Sequence, residues 1–270
     1  MSDPASRGPA GFRDLFSRDS ARYARFRPRY PAVLFEWLAT LPVTRRLAWD
    51  CATGNGQAAV MLASHFSFVA GSDASASQLR AATRAGSVGY FVALGEATAL
   101  AARRVDLVTV AQAFHWLDHE RFYAEVDRVA APGAALAIWA YGRLRVTAAL
   151  EAVINRFHDE TVGRYWPTER RFVEEGYRDF AIPIDEVPAP QLAIEATLSL
   201  PELLGYLRTW SAVGRYLVVH GHDPVEALAP ELGDHWGNPA TPRRISWPLF
   251  IRAGRWRGSG SRSRAALTPG

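Results

Sequence analysis

Hydrophobic and polar positions alternate between two periods along residues 46–141. Short apolar runs predict strands at 47–50, 68–71, 88–93, 105–110 and 134–139, whereas apolar residues at helical spacing predict helices at 57–66, 75–84 and 119–130. Strands that alternate with helices of this length are typical of βαβ units and a parallel sheet. The apolar run at 105–110 fits a strand that is buried on both faces.

The alternation fades after Tyr141. Pro31 begins a predicted helix at 32–41, and later periodicity predicts helices at 147–158 and 201–213 and strands at 191–197 and 245–253. Pro248 within the last of these predicts an edge strand or a bulge. We expect one domain at 20–255, with a core at 44–142 and a C-terminal part with lid helices at 143–255. A mobile N-terminus at 1–19 and a disordered tail at 256–270 would flank it.

Composition indicates the size of the core, the location of the protein and the partners that it is expected to lack. The chain has 270 residues and 49% hydrophobic content, which suffices for one core. No apolar stretch approaches the roughly 20 residues of a membrane span, so we expect no membrane partner and a cytoplasmic location. The single cysteine, Cys51, fits a reducing compartment. All 31 basic residues are arginines, scattered among 27 acidic residues, which argues against a nucleic-acid partner.

A glycine turn follows the first predicted strand of the core. Residues 47–57 read LAWDCATGNGQ, so an apolar run ends at Asp50 and a helix begins just after Gly56. Such a turn lets a ligand approach the main chain and the free N–H groups of a helix N-terminus. Gly54-x-Gly56-x-x-Ala59 also fits a dinucleotide pattern, with Asp73 17 residues after Gly56. However, Asp50 would repel a pyrophosphate and attract an ammonium or sulfonium group.

Several segments together resemble one enzyme family. Asp50-x-Ala52-x-Gly54-x-Gly56 resembles the first motif of class I S-adenosylmethionine-dependent methyltransferases, with Ala52 in place of the usual first glycine. Further similar segments are Asp73, residues 95–97 (GEA), 105–118 (VDLVTVAQAFHWLD), 131–141 (APGAALAIWAY), 20–31 and 206–211. They are similar to the trans-aconitate methyltransferase-like branch, which carries a methyltransferase type 11 domain, and the similarity spans residues 16–255.

The resemblance implies an α/β fold, a doubly wound, seven-stranded, mostly parallel, Rossmann-like sheet. A helical N-terminal leader and a late helical lid insertion would accompany it, and the two late strands would form the final antiparallel hairpin. It also implies S-adenosyl-L-methionine as cofactor, bound by Asp50, Ala52, Gly54, Gly56, Asp73, Ala74, Glu96, Ala97, Gln112 and Tyr30. Ala52 should then have an ordinary negative φ.

Three of these cofactor residues also have a simpler interpretation. Asp73 is expected to accept both ribose hydroxyls, although it could instead cap the following helix. Asp50 would face the amino-acid end of the cofactor. Glu96 would lie beside the adenine or be a solvated loop acid, and Tyr30 would close on the cofactor or pack the leader.

The candidate acceptor residues follow from the same resemblance. His115 is a candidate general base if the acceptor is a hydroxyl or an amine, but it could also contact the cofactor or be structural. A carboxylate acceptor is already ionised and needs no base. Arg22 and Arg27 on the leader would bind such a carboxylate unless they are ordinary surface residues, and Trp116 and Trp210 are further acceptor candidates. No metal is expected.

The predicted function is methyl transfer from S-adenosyl-L-methionine to a small-molecule acceptor, such as an organic acid. Two alternatives stay open at this point. The chain could be a non-catalytic S-adenosylmethionine-binding regulatory module, or a nicotinamide-dependent oxidoreductase. The sequence leaves the oligomeric state open.

Overall fold

The sheet of this protein contains eight strands in a computed structural model that describes residues 28–260. The strands are β1 (Leu47–Cys51), β2 (Phe68–Asp73), β3 (Val88–Val92), β4 (Val105–Ala111), β5 (Ala130–Tyr141), β6 (Ile184–Glu186), β7 (Ala193–Leu198) and β8 (Arg243–Trp256). Seven of them form a continuous path in the order β3-β2-β1-β4-β5-β8-β6, and β7 pairs with β8 off this path.

The first five strands are parallel, and β8 runs antiparallel to β5, β6 and β7. The mostly parallel α/β sheet predicted from the sequence is confirmed. All five parallel strands end at the same edge of the sheet, so the loops that follow them meet there.

Helices cover both faces of the sheet. They are α1 (Ala32–Leu38), α2 (Gln57–Leu62), α3 (Ala76–Arg80), α4 (His119–Val129), α5 (Ala148–Arg156), α6 (Arg170–Glu174), α7 (Leu200–Leu207), α8 (Ser211–His220) and α9 (Pro224–Trp236). Neighbouring residues of one strand alternate between two cores, as the pleat requires. Ala48 packs in the core that contains α1, α2 and α5, whereas Trp49 packs in the core that contains α4.

The C-terminal half departs most from the predictions. The helix expected at 201–213 is divided at residues 208–210 into α7 and α8. The backbone of Trp210 is extended, so a new helix, α8, begins after it. A π-helical turn, Phe157–Thr161, follows α5. The short helix α6, the helix α9 and the edge strand β6 were not predicted, and β6 takes the sheet edge beside β8.

Pro248 does not mark an edge strand. It lies where β8 changes partners, because Pro248 pairs with Ala193 of β7 and Leu249 pairs with Tyr141 of β5. A residue without an N–H group fits this position, where one ladder ends and the next begins. The late hairpin is therefore β7–β8, and it stands beside the main path of the sheet.

The expected domain limits can be compared with the structure only in part. Residues 1–27 and 261–270 lie outside the described residues, and these include the predicted N-terminus at 1–19 and most of the predicted tail. Trp256, however, ends β8, and its Nε1 donates to Asp127 Oδ1 at 2.7 Å. Ser259 N also donates to Asp127, at 3.0 Å, so the chain is held in place beyond residue 255. No helix in residues 28–260 has the length and apolarity to span a membrane.

Candidate active site

A cleft of about 590 Å³ opens at the carboxyl ends of the parallel strands. The loops after β1, β2, β3 and β4 form its walls, through residues 52–55, 73–75, 93–96 and 111–113. This is the position at which open α/β sheets bind their ligands. Pro28 and Tyr30 line the cleft from the segment before α1. Arg22 and Arg27, the leader arginines predicted to bind an acceptor, lie outside the described residues.

The glycine turn has the expected shape, with one exception. Gly54 and Gly56 have positive φ angles of 57° and 83°. A Cβ on Gly54 would meet no atom of the described part of the chain within 4 Å, whereas a Cβ on Gly56 would lie 2.1 Å from the Tyr90 hydroxyl oxygen. Gly54 therefore keeps space open on the cleft side, and Gly56 makes room for Tyr90.

Ala52 also has a positive φ, 53°, so the prediction of an ordinary φ at this position was wrong. The next residues are held against the end of β2, because Thr53 N donates to Ser72 O at 2.9 Å and Gly54 N donates to Asp73 Oδ2 at 2.9 Å. These bonds force the chain to reverse at residue 52, which costs an alanine about 1–2 kcal/mol. Ala52 thus keeps the left-handed conformation that glycine would adopt without strain.

Asp50 lies behind the turn and is 1% exposed. Its carboxylate accepts hydrogen bonds from the hydroxyls of Thr53 at 2.5 Å and Thr109 at 2.8 Å. Burial raises the pKa of Asp50 to about 6, although these bonds and the Ala59 N–H of α2 lower it. Asp50 is not among the residues that line the cleft. It holds the turn and the start of α2 together and adds negative charge beneath the cleft.

Asp73 lines the cleft and is 9% exposed. Its Oδ2 accepts from Gly54 N and its Oδ1 accepts from Ser75 N at 2.8 Å, so the carboxylate is fixed in orientation. The cap of α3 is Ser75, whose hydroxyl accepts from Gln78 N at 3.3 Å. A carboxylate in this part of the cleft wall presents acceptor oxygens of the kind that ribose hydroxyls require.

The remaining predicted cofactor residues are divided between the cleft and its surroundings. Ala74, Glu96, Gln112 and Tyr30 line the cleft, whereas Gly56 and Ala97 do not. Glu96 Oε1 accepts from Asp118 N at 2.8 Å, which ties the loop after β3 to the start of α4. Tyr30 packs edge-on against Trp139 at 5.6 Å while it lines the cleft, so its two predicted roles are compatible.

A second cavity of about 70 Å³ adjoins the cleft. The two spaces share Gln112, Trp116 and Tyr141 as walls. The rest of the second cavity is formed by His115 and by residues of the C-terminal half, chiefly Asn155, His158, Trp166, Arg170, Tyr206 and Trp210. Trp116 therefore stands between the two spaces, and Trp210 and His115 belong to the second one. We refer to this space as the acceptor cavity.

His115 has an environment that opposes protonation. Its Nδ1 is 2.8 Å from the hydroxyl of Tyr177, a residue that is 1% exposed. Burial, with smaller contributions from Arg170 and His119, lowers the pKa of His115 to about 3. The imidazole is neutral at neutral pH and is a weak base. This geometry gives little support to the general-base role.

Charged residues in the wall of the acceptor cavity and directly behind it form a network around the π-helical turn. Arg143 binds Asp159 through two hydrogen bonds of 2.7 Å, and these bonds lower the pKa of Asp159 to about 2. His158, 4% exposed, contacts Asp159 through Nδ1 at 2.8 Å. Glu174 Oε1 lies 3.6 Å from Arg170 Nε. The sequence predicted none of these residues, because they come from segments without a recognisable spacing; only the arginine content was a signal.

The charge of the cleft distinguishes between the candidate cofactors. Among residues 28–260, Asp73, Glu96, Asp118 and Glu169 line it, against a single arginine, Arg121. Four carboxylates with Asp50 beneath them would repel a pyrophosphate and favour a ligand with an ammonium and a sulfonium group. The open space beside Gly54 and the carboxylate of Asp73 likewise fit S-adenosylmethionine.

Comparisons with known proteins agree with this geometry. The family model described as "Methyltransferase domain" matches residues 49–138. A Dictyostelium discoideum protein named "Putative methyltransferase" is 31% identical over 228 residues, which cover 83% of this chain and 87% of that protein. A "Probable S-adenosylmethionine-dependent methyltransferase" of Saccharomyces cerevisiae is 29% identical over 132 residues, 46% of this chain and 45% of that protein.

A solved structure extends the similarity to nearly the whole described chain. The structure titled "Putative Type II Methyltransferase" from Anaeromyxobacter dehalogenans has a TM-score of 0.80 and 45% identity, covering 85% of this chain and 98% of that chain. The strand order, the cleft at the carboxyl ends of the strands and the carboxylate-rich walls agree with these matches. The chain belongs to the class I S-adenosylmethionine-dependent methyltransferases.

Proposed function

We propose that this methyltransferase acts on a small organic acid that binds in the acceptor cavity. The observation that carries the proposal is that this cavity shares Gln112, Trp116 and Tyr141 with the cofactor cleft. A molecule in the cavity is thus next to the methyl-donor space. The cavity is small, and aromatic rings and two arginines, Arg143 and Arg170, form much of its wall. Such a wall suits a compact acidic molecule.

The bound cofactor supplies an electrophilic methyl group on its sulfonium sulfur. The residues of the chain hold the cofactor and the acceptor together and exclude water. Asp73 would hold the ribose, Glu96 and the loop after β3 would flank the adenine, and Asp50 would fix the turn and stabilise the positive charge. A carboxylate oxygen of an acceptor held in the cavity would be the nucleophile for this methyl group.

No proton moves in this reaction, which agrees with the absence of a strong base among the described residues of the cavity wall. Because His115 has a pKa of about 3, it would deprotonate a hydroxyl or an amine poorly. We place the reaction in the cytoplasm, where the one cysteine of the chain, buried Cys51, stays reduced.

The test is turnover with radiolabelled methyl donor and a panel of small acids, each beside its amide. We expect base-labile methyl esters from one or more acids and none from the amides. Alkali-stable products would instead indicate methylation of oxygen, nitrogen or carbon elsewhere and would overturn the carboxylate as acceptor. Binding of S-adenosylhomocysteine by calorimetry, without turnover of any acid, would favour the regulatory module.

A further inference from the structure

The hydroxyl of Tyr177 determines which nitrogen of His115 carries a proton. Tyr177 is 1% exposed, so its O–H cannot be satisfied by bulk water. Within residues 28–260 its hydrogen-bond partner is His115 Nδ1, at 2.8 Å. A buried hydroxyl donates its proton to an available acceptor, and Nδ1 is an acceptor only when it carries no hydrogen. This geometry favours an unprotonated Nδ1.

The neutral imidazole then has its single proton on Nε2. That nitrogen lies on the other side of the ring from Tyr177, and His115 lines the acceptor cavity. The edge of the ring left for the cavity thus presents an N–H donor. A donor in this place favours an acceptor molecule with a carboxylate or carbonyl oxygen and cannot accept a proton from it.

Arg170 offers a second donor in the same cavity. Its guanidinium carbon lies 4.9 Å from the centre of the Trp166 ring, and Glu174 is 3.6 Å from its Nε. Among the described residues the Arg170 guanidinium makes an ion-pair and a cation–π contact but no hydrogen bond. Arg143, the other arginine in the wall, is by contrast bound at both ends by Asp159. Arg170 is therefore the cation that can pair with a ligand.

We propose that His115 Nε2–H and the Arg170 guanidinium together bind the acidic group of the acceptor, and that Tyr177 is the positioning residue that keeps His115 in the donor form. The binding of an acceptor molecule in this cavity rests on the proposed function. The protonation state of His115 does not depend on it. A carboxylate held by one neutral and one charged donor would be discriminated from its amide by one to two orders of magnitude.

The protonation of His115 can be measured without any acceptor. Long-range ¹H–¹⁵N NMR of ¹⁵N-labelled protein distinguishes the two neutral forms of a histidine, and the His115→Gln variant assigns the signal. We expect the Nε2–H form from pH 5 to pH 8, and a mixture of forms in Tyr177→Phe. An Nδ1–H form in the wild-type protein, or a His115 that titrates near its usual value of about 6.5, would overturn the inference.

Anion binding is tested by calorimetry on the protein saturated with S-adenosylhomocysteine, with benzoate and benzamide as planar probes. We expect benzoate to bind at least tenfold more tightly than benzamide. Arg170→Gln and His115→Phe should each weaken benzoate about tenfold or more. Arg170→Gln should leave benzamide nearly unchanged, because benzamide carries no charge, whereas His115→Phe removes a donor that either probe can use. Arg170→Lys should retain part of the preference for benzoate. Arg171→Gln is the matched control, because Arg171 is an exposed residue on the same helix.

The outcomes separate this inference from the proposed function. Equal binding of benzoate and benzamide, no binding of either, or an unchanged preference in Arg170→Gln would overturn the anion site. If S-adenosylhomocysteine itself does not bind to folded protein, the proposed function fails, and the NMR result still decides the protonation of His115.

Discussion

Two glycines of the same turn should respond differently to the same substitution. Gly54 and Gly56 both have positive φ angles, so an alanine at either position would strain the backbone. The two sites differ in what the new methyl group meets. At Gly54 it would point into open space beside the cleft, whereas at Gly56 it would lie 2.1 Å from Tyr90 Oη.

The structure sets the sizes of the two effects. An alanine in the left-handed conformation destabilises the folded protein by about 1–2 kcal/mol. Alanine also lowers the conformational entropy of the unfolded chain, which offsets about 0.4–1 kcal/mol of this loss. Gly54→Ala should therefore destabilise the protein by about 1 kcal/mol. Gly56→Ala adds the loss of the Tyr90 bond to Thr83 O, 2.8 Å long, and local repacking. These terms bring its cost to about 3 kcal/mol. The corresponding shifts in Tm are about 3 °C and about 9 °C.

The assay combines thermal melts without ligand and calorimetric titration with S-adenosylhomocysteine. Gly54→Ala should melt close to wild type but bind at least tenfold more weakly, because its methyl group occupies the space that the ligand needs. Gly56→Ala should lose stability, and adding Tyr90→Phe should restore part of it. Unchanged affinity in Gly54→Ala would refute the reasoning, since the ligand would then not approach this turn. Equal losses of Tm would show that Tyr90 moves aside at little cost.

Four further predictions concern the cleft and Asp50 beneath it. Ala52→Gly should raise the free energy of unfolding by up to about 1 kcal/mol, because φ is 53° at this residue; a lower Tm would contradict the strain. Asp73→Asn should weaken S-adenosylhomocysteine binding more than tenfold by calorimetry, since the amide cannot accept at both ends; retained affinity would mean that the ribose is held elsewhere. Asp50, with its pKa raised to about 6, should make S-adenosylmethionine bind more weakly as the pH falls from 7 to 5, with proton release near pH 6; a pH-independent affinity would exclude this coupling. Since the folded protein holds the Asp50 proton more tightly than the unfolded chain, the stability of the unliganded protein should fall as pH rises from about 4 to about 6.

The cofactor cleft could be predicted because its parts are local in the sequence. Asp50, Gly54 and Gly56 belong to one strand, turn and helix, and parallel pairing of β1 with β2 brings Asp73 beside them. The conformation of Ala52 could not be predicted in the same way. It depends on the bond from Thr53 N to Ser72 O, which joins two strands and has no counterpart in the local pattern.

Burial also changed the roles of residues whose types were predicted correctly. Asp50 was expected at the cofactor, but the hydroxyl of Thr109, 59 residues away, holds it below the cleft. A threonine within the largely apolar strand β4 gives no sign of such a bond. Trp210 was expected in a lid, yet it packs at 8% exposure on α7 and reaches the acceptor cavity from within the core.

The acceptor cavity could not be predicted from the sequence for a further reason. The sequence does not show which arginines are paired with carboxylates. The chain has 31 basic residues, all arginine, so an arginine at any position carries little information about ligands. Arg143 and Arg170 both reach the cavity wall, but only the fold shows that Asp159 binds Arg143 at both ends whereas Glu174 is just within ion-pair distance of Arg170. Anion recognition depends on this difference, because a guanidinium already bound by a carboxylate has little left to offer a second one. The selectivity of the enzyme for its acceptor should therefore change with substitutions of Arg170 far more than with those of any arginine whose partner is built into the fold.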